Sequence, residues 1–201
     1  MTESYETFPT PEENLPVLPS VIWLQRLFYI HIASLILSLV TMFWLNNPIT
    51  PWINYALSTG IVLCLLKLAP AFRRYRTAAI LTAAVLGFTL LSKLALGTLM
   101  ALIASVLAII ADYQELHAHG ETVEEKDPAL SRKWRGLFLW QLLIGILGGF
   151  ASVAATVIMV LANMDTTQIT QLVTGAIGLI ALIPGILYLV YLHKTIKLFE
   201  K

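Results

Sequence analysis

The chain has 201 residues, 58% hydrophobic and 12% charged, with a mean hydropathy of +0.78. A water-soluble domain of this length has no way to cover so much apolar surface, whereas lipid does. The formal net charge of +1 leaves no overall nucleic-acid signature, and a single cysteine, Cys64, excludes an intramolecular disulfide or a CxxC site.

Residues 1–20 carry Glu3, Glu6, Glu12 and Glu13 without Lys or Arg, and Pro9, Pro11, Pro16 and Pro19 break any periodicity. They read as an acidic, disordered tail, the opposite of a basic signal-peptide start. Six apolar spans are expected after it, at about 21–45, 52–69, 77–91, 95–111, 136–163 and 169–193. Asn46-Asn47-Pro48 ends the first, Pro70 the second, and a turn around Asp165 the fifth. The stretch 77–111 holds one charge, Lys93. As a single helix it would be ~52 Å long, too long for a ~30 Å hydrocarbon core, so a break near Ser92-Lys93 divides it.

Charge supplies the threading. With both termini cytoplasmic, Arg26, Lys67, Arg73, Arg74, Arg76, the polar loop 112–135 and the lysine tail all lie inside. Of the 13 basic residues, only Lys93 falls outside. The expected fold is therefore all-α: a polytopic bundle of six transmembrane helices, arranged as three hairpins in a cell (inner) membrane. Its basic inner surface would meet anionic lipid. Within 112–135, Asp127 followed by Pro128 is a helix N-cap signal that opens an amphipathic segment leading into the fifth span.

Small residues recur at packing intervals. Ala56, Gly60 and Cys64 line one face, Ala79, Ala83 and Gly87 another, and Gly97, Ala101 and Ser105 a third. Gly145 and Gly149 form a GxxxG pair continued by Ser152 and Ala155, and Gly175 and Gly178 precede Pro184-Gly185. In lipid such stripes let helices approach closely. Intramolecular packing is the expectation, with a homodimer through Gly145 and Gly149, or another membrane-protein partner, as the alternative. Pro184 removes a backbone donor and is expected to kink its helix.

Polar candidates are few. Asp112, Glu115, His117 and His119 form D-x-x-E-x-H-x-H, in which Asp112, Glu115 and His119 share a helical face. That donor set suits a divalent transition metal, but a solvated helix end accounts for it too, and no metal or other cofactor is assigned. His31 lies about one turn inside the first span and Gln141 similarly inside the fifth, where together they would line a polar inner vestibule. No catalytic motif occurs: there is no serine elbow and no HExxH. Glu124-Glu125 stands at the wrong distance from Arg132 for the EExxxR pattern of CAAX-processing-type membrane proteases.

The Leu27-Phe28 opening, the Lys67-Leu68-Ala69-Pro70 exit, Tyr75-Arg76-Thr77-Ala78, Trp134, and Leu189-Val190-Tyr191-Leu192-His193-Lys194 together resemble small six-span membrane proteins of Gram-positive gut bacteria. The resemblance implies six helices and carries over no functional residue. A non-enzymatic accessory or scaffold role is the first expectation. The alternative is a small-solute carrier or channel whose inner vestibule is His31 and Gln141.

Overall fold

The computed structural model describes residues 21–43, 48–94, 97–162 and 166–200. Six helices fill them: α1 Val21–Phe43, α2 Thr50–Leu68, α3 Arg73–Leu94, α4 Gly97–Val123, α5 Pro128–Ala162 and α6 Thr166–Phe199, with no strand among the described residues. The acidic tail 1–20, the Asn46-Asn47 turn and the Asp165 turn lie outside them. All six helices are long and apolar enough to cross a membrane. Only 11–28% of each apolar window is buried within the protein, so lipid must cover the rest.

Each helix packs against its neighbours in the chain, and α6 returns to α1, so the six close into a ring with α4 touching α6 across it. The ring is tight at one end. Leu24 and Leu27 of α1, Leu65 and Leu68 of α2, Tyr75 of α3, Leu116 of α4, Trp134 of α5 and Leu192 of α6 are all buried there in one cluster. Away from that end, Leu139, Leu143, Ile146, Phe150, Val153 and Val157 of α5 are exposed at alternating four- and three-residue steps. That spacing is the single outward stripe of a helix facing lipid.

The segment 112–135 is not the polar loop expected of it. Helix α4 runs through Asp112 to Val123 and α5 begins at Pro128. A short turn joins them, closed by the Asp127 amide donating to the Val123 carbonyl at 2.7 Å. Asp127 Oδ1 accepts the Leu130 amide at 2.9 Å, and this cap with proline at the first helical position fixes where α5 starts. The helix continues through these polar residues because Gln114, Glu115, His119, Glu121 and Thr122 find partners on α3 and α6 in place of water. Exposed ion pairs tie the same end together: Arg74 with Glu121, and Arg135 with Glu124 at 2.7 Å. Such pairs are worth at most about 1 kcal/mol each.

Close helix approach occurs at Gly60, within the expected Ala56–Gly60–Cys64 stripe, and at Gly185, but not at the GxxxG pair. A Cβ at Gly60 of α2 would stand 3.0 Å from Ile30 Cδ1, and one at Gly185 of α6 would stand 3.1 Å from Leu35 Cδ1. Both contacts are with α1. At Gly87, Gly145 and Gly149 nothing lies within 4 Å of the added atom, so these three are not close-approach positions within the chain. Gly145 and Gly149 instead border open space between α5 and α6. Gly175 and Gly178 lie in the first half of α6, which continues through Pro184 to Phe199 without a break in its helical assignment. In detergent, Gly185→Leu should therefore destabilise the protein by about 1–3 kcal/mol through overpacking against Leu35. Gly149→Leu should change stability by less than about 0.5 kcal/mol. Thermal unfolding of the two variants side by side checks the order; the reverse order would restore Gly149 as a packing position.

Candidate functional site

The buried polar residues gather just inside the tight end of the ring, and Glu115 of α4 is their centre, 7% exposed. One helical turn on, His119 is completely buried, its Nε2 3.8 Å from Glu115 Oε1. The Tyr188 hydroxyl of α6 lies 2.5 Å from Glu115 Oε1 and 3.1 Å from His119 Nε2. Tyr75 of α3 lies 2.8 Å from His119 Nδ1 and 3.1 Å from Thr122 Oγ1. Thr122 in turn donates to the Ala118 carbonyl at 2.7 Å.

Counting protons along this chain fixes its net charge. Thr122 spends its only proton on Ala118, so Tyr75 must donate to Thr122, and His119 Nδ1–H must donate to Tyr75. With Glu115 ionised, Tyr188 spends its only proton on it, His119 Nε2–H donates to Tyr188, and the pair is an imidazolium and a carboxylate. With Glu115 protonated, it donates to Tyr188 and Tyr188 donates to His119 Nε2, so two neutral groups meet the same bonds. In both arrangements the Glu115–His119 pair carries no net charge. Trp134 stacks on the His119 ring at 4.6 Å with 24° between planes. Its own Nε1–H donates to Thr195 Oγ1 at 3.1 Å.

On the far side of Glu115 from Trp134 is a cavity of about 210 Å³, bordered by His31, Ser34 and Ser38 of α1, Asp112 and Glu115 of α4, Gln141 of α5, and Gly185 and Tyr188 of α6. Two further spaces share its walls. One of about 280 Å³ lies between α4 and α5, with Asp112, Gln141 and Gly145 on its border. The other, of about 460 Å³, lies between α5 and α6, with Gln141, Gly145, Gly149 and Pro184 on its border. Gln141 borders all three spaces. No Lys or Arg is among the described residues lining any of them. Two buried side-chain atoms facing this region have no hydrogen-bond partner: Gln141 Oε1 and His31 Nε2. His31 Nε2 is 3.6 Å from Glu115 Oε1, and its ring centroid is 4.3 Å from that of Tyr188.

The structure sets His31 and Gln141, 110 positions apart, on one cavity wall. It separates the D-x-x-E-x-H-x-H run. Asp112 faces the cavity mouth, Glu115 and His119 lie in the core, and His117 turns away, bonding the Tyr113 carbonyl at 2.9 Å. Among the described residues no group of three or more His, Cys, Asp or Glu side chains is arranged to hold a metal ion. The sequence alone assigns no functional role to Tyr75, Thr122, Trp134 and Tyr188, which the structure brings to this site. The available signal was the Glu115/His119 spacing of four, which places acid and base on one face and calls for phenolic partners.

No protein-family model, curated protein or solved structure matches the chain.

Proposed function

We propose that this protein is a multi-pass membrane carrier or channel for a small polar solute, with the cavity bordered by His31, Asp112, Glu115, Gln141 and Tyr188 as its binding site. The observation that carries this reading is the cavity's position. His31 and Gln141 stand about one turn inside their apolar spans and Asp112 at the end of another, so the cavity opens from the inner interface into the bundle. Polar groups gathered around such a space are costly in apolar helices, and a pathway is their usual reason for being there. A scaffold working through its surface loops needs no such cavity. In this reading the tight, basic end faces the cytoplasm, the helices pair as three hairpins, and unpaired basic residues such as Arg73 and Arg76 meet anionic lipid.

Flux into proteoliposomes tests it. Methylammonium, acetate and glycerol would be offered separately, and at least one should enter several-fold faster than into protein-free vesicles. Gly145→Trp, which fills the shared space where a Cβ meets nothing within 4 Å, should abolish that excess. Rates equal to empty vesicles for all three solutes would count against transport and favour the accessory role.

A further inference from the structure

We infer that the cavity selects a small organic cation carrying ammonium N–H donors, with Asp112 as its counter-charge; this rests on the solute-binding reading above. The first ground is charge. Glu115 and His119, joined through Tyr188 and directly at 3.8 Å, carry no net charge as a pair. The described residues form two Arg–carboxylate ion pairs and place two histidines 3.6 and 3.8 Å from Glu115, and Asp112 belongs to none of these contacts. It borders both the 210 Å³ cavity and its 280 Å³ neighbour, where no Lys or Arg is among the described lining residues. When ionised, and with His31 neutral, Asp112 leaves the site one negative charge in excess. An anionic solute is repelled, and a cation completes the pair.

The second ground is independent of charge. The cavity presents acceptors that lack donors. Gln141 Oε1 is buried without a partner. Ser38 has given its proton to the Ser34 carbonyl at 2.9 Å, leaving only lone pairs to offer. Tyr188 has spent its proton within the Glu115–His119 pair. An apolar guest would leave those acceptors unsatisfied, and a quaternary ammonium has no N–H to give them. A primary ammonium has three, enough for Asp112, Gln141 and Ser38 together. Size agrees: a cavity of 150 Å³ accommodates a benzene-sized guest, and this one is about 210 Å³. The same ammonium chemistry is found in a free solute and in an ethanolamine lipid headgroup. The second source has a route in, because Ile109, Phe138, Leu142 and Ile146 line the neighbouring space between α4 and α5.

The test is a thermal-unfolding titration of the full chain in phosphatidylcholine nanodiscs, whose headgroups carry no N–H. The probes are n-propylammonium, propan-1-ol, tetramethylammonium and propionate. Propylammonium should bind at least tenfold more tightly than the other three, and Asp112→Asn should weaken it tenfold or more with the unliganded melting temperature unchanged. If Asp112→Asn does not fold, Gln141→Leu replaces it and should weaken binding at least threefold. Repeating the titration in phosphatidylethanolamine nanodiscs separates the sources. Apparent weakening there identifies the headgroup as the occupant, and an unchanged constant identifies a free solute. Equal binding of propan-1-ol or propionate, no propylammonium binding by folded protein, or indifference to both variants would overturn the assignment. Flux without ammonium preference would sink this inference and leave transport standing; ammonium binding without flux of any solute would do the opposite.

Discussion

Replacing Glu115 with alanine should destabilise the protein by about 3–5 kcal/mol, the cost of stranding the partners of a buried, hydrogen-bonded acid. One stranded partner is His119, whose ring is fully buried. Tyr188, which bonds Glu115 at 2.5 Å, would lose its partner at the same time. Glu115→Gln keeps a hydrogen-bonding group for Tyr188 but not the acid, so its cost should fall between those of wild type and alanine. The decisive readout is a double-mutant cycle with His119→Ala. Because the two groups share one proton-balanced network, the double variant should be at least about 1 kcal/mol more stable than the sum of the single losses implies. Strict additivity in denaturant or thermal unfolding would mean that Glu115 and His119 are not coupled.

Trp134→Ala should cost a similar amount, about 3–5 kcal/mol, for a different reason. The indole is 0% exposed and meets three rings: His119 face-on at 4.6 Å, Tyr188 edge-on at 5.2 Å and Tyr191 edge-on at 5.7 Å. Truncation empties a place where α4, α5 and α6 meet. The loss does not depend on lipid, since these helices gain their cohesion from packing rather than from leaving water. Trp134→Phe separates packing from hydrogen bonding. It keeps most of the ring and removes only the donor to Thr195, which still bonds the Tyr191 carbonyl, so about 1 kcal/mol should be lost. A phenylalanine variant as unstable as the alanine one would show that the indole N–H, and not the stack, holds this end together.

The helices themselves were legible because lipid imposes a length and water imposes charge. The break beside Lys93 and the cap at Asp127 follow from those constraints and from local chemistry. The cluster at Glu115 was not legible for the same reasons. Polarity in a sequence signals contact with water unless a partner is known, and the partners of Glu115 and His119 are Tyr188 and Tyr75, 73 and 44 residues away. Reading Asp112 to Arg135 as a wet loop follows from seeing only one side of each hydrogen bond. The glycines misled in a related way. GxxxG states that a neighbour can come close, but at Gly145 and Gly149 no helix takes up the invitation. At Gly60 and Gly185, α1 does, and nothing in their local sequence distinguishes them. His31 and Gln141 were read as a pair because each sits about one turn inside its span; the orphaned atoms that give them chemical meaning emerge only when α1, α4, α5 and α6 are placed around a common space.

The claim that matters most is that this space is wet and reachable in a membrane. In a Cys64→Ala background, Ser34→Cys and Gln141→Cys would be treated with a small, charged, water-soluble thiol reagent in open membrane fragments. Leu147→Cys, at a position 58% exposed on the apolar outer face of α5, serves as the lipid control. Ser34→Cys and Gln141→Cys should label readily while Leu147→Cys stays unmodified. If the two cavity positions resist the reagent as completely as Leu147→Cys does, the ring is a dry bundle and the solute-binding account is wrong.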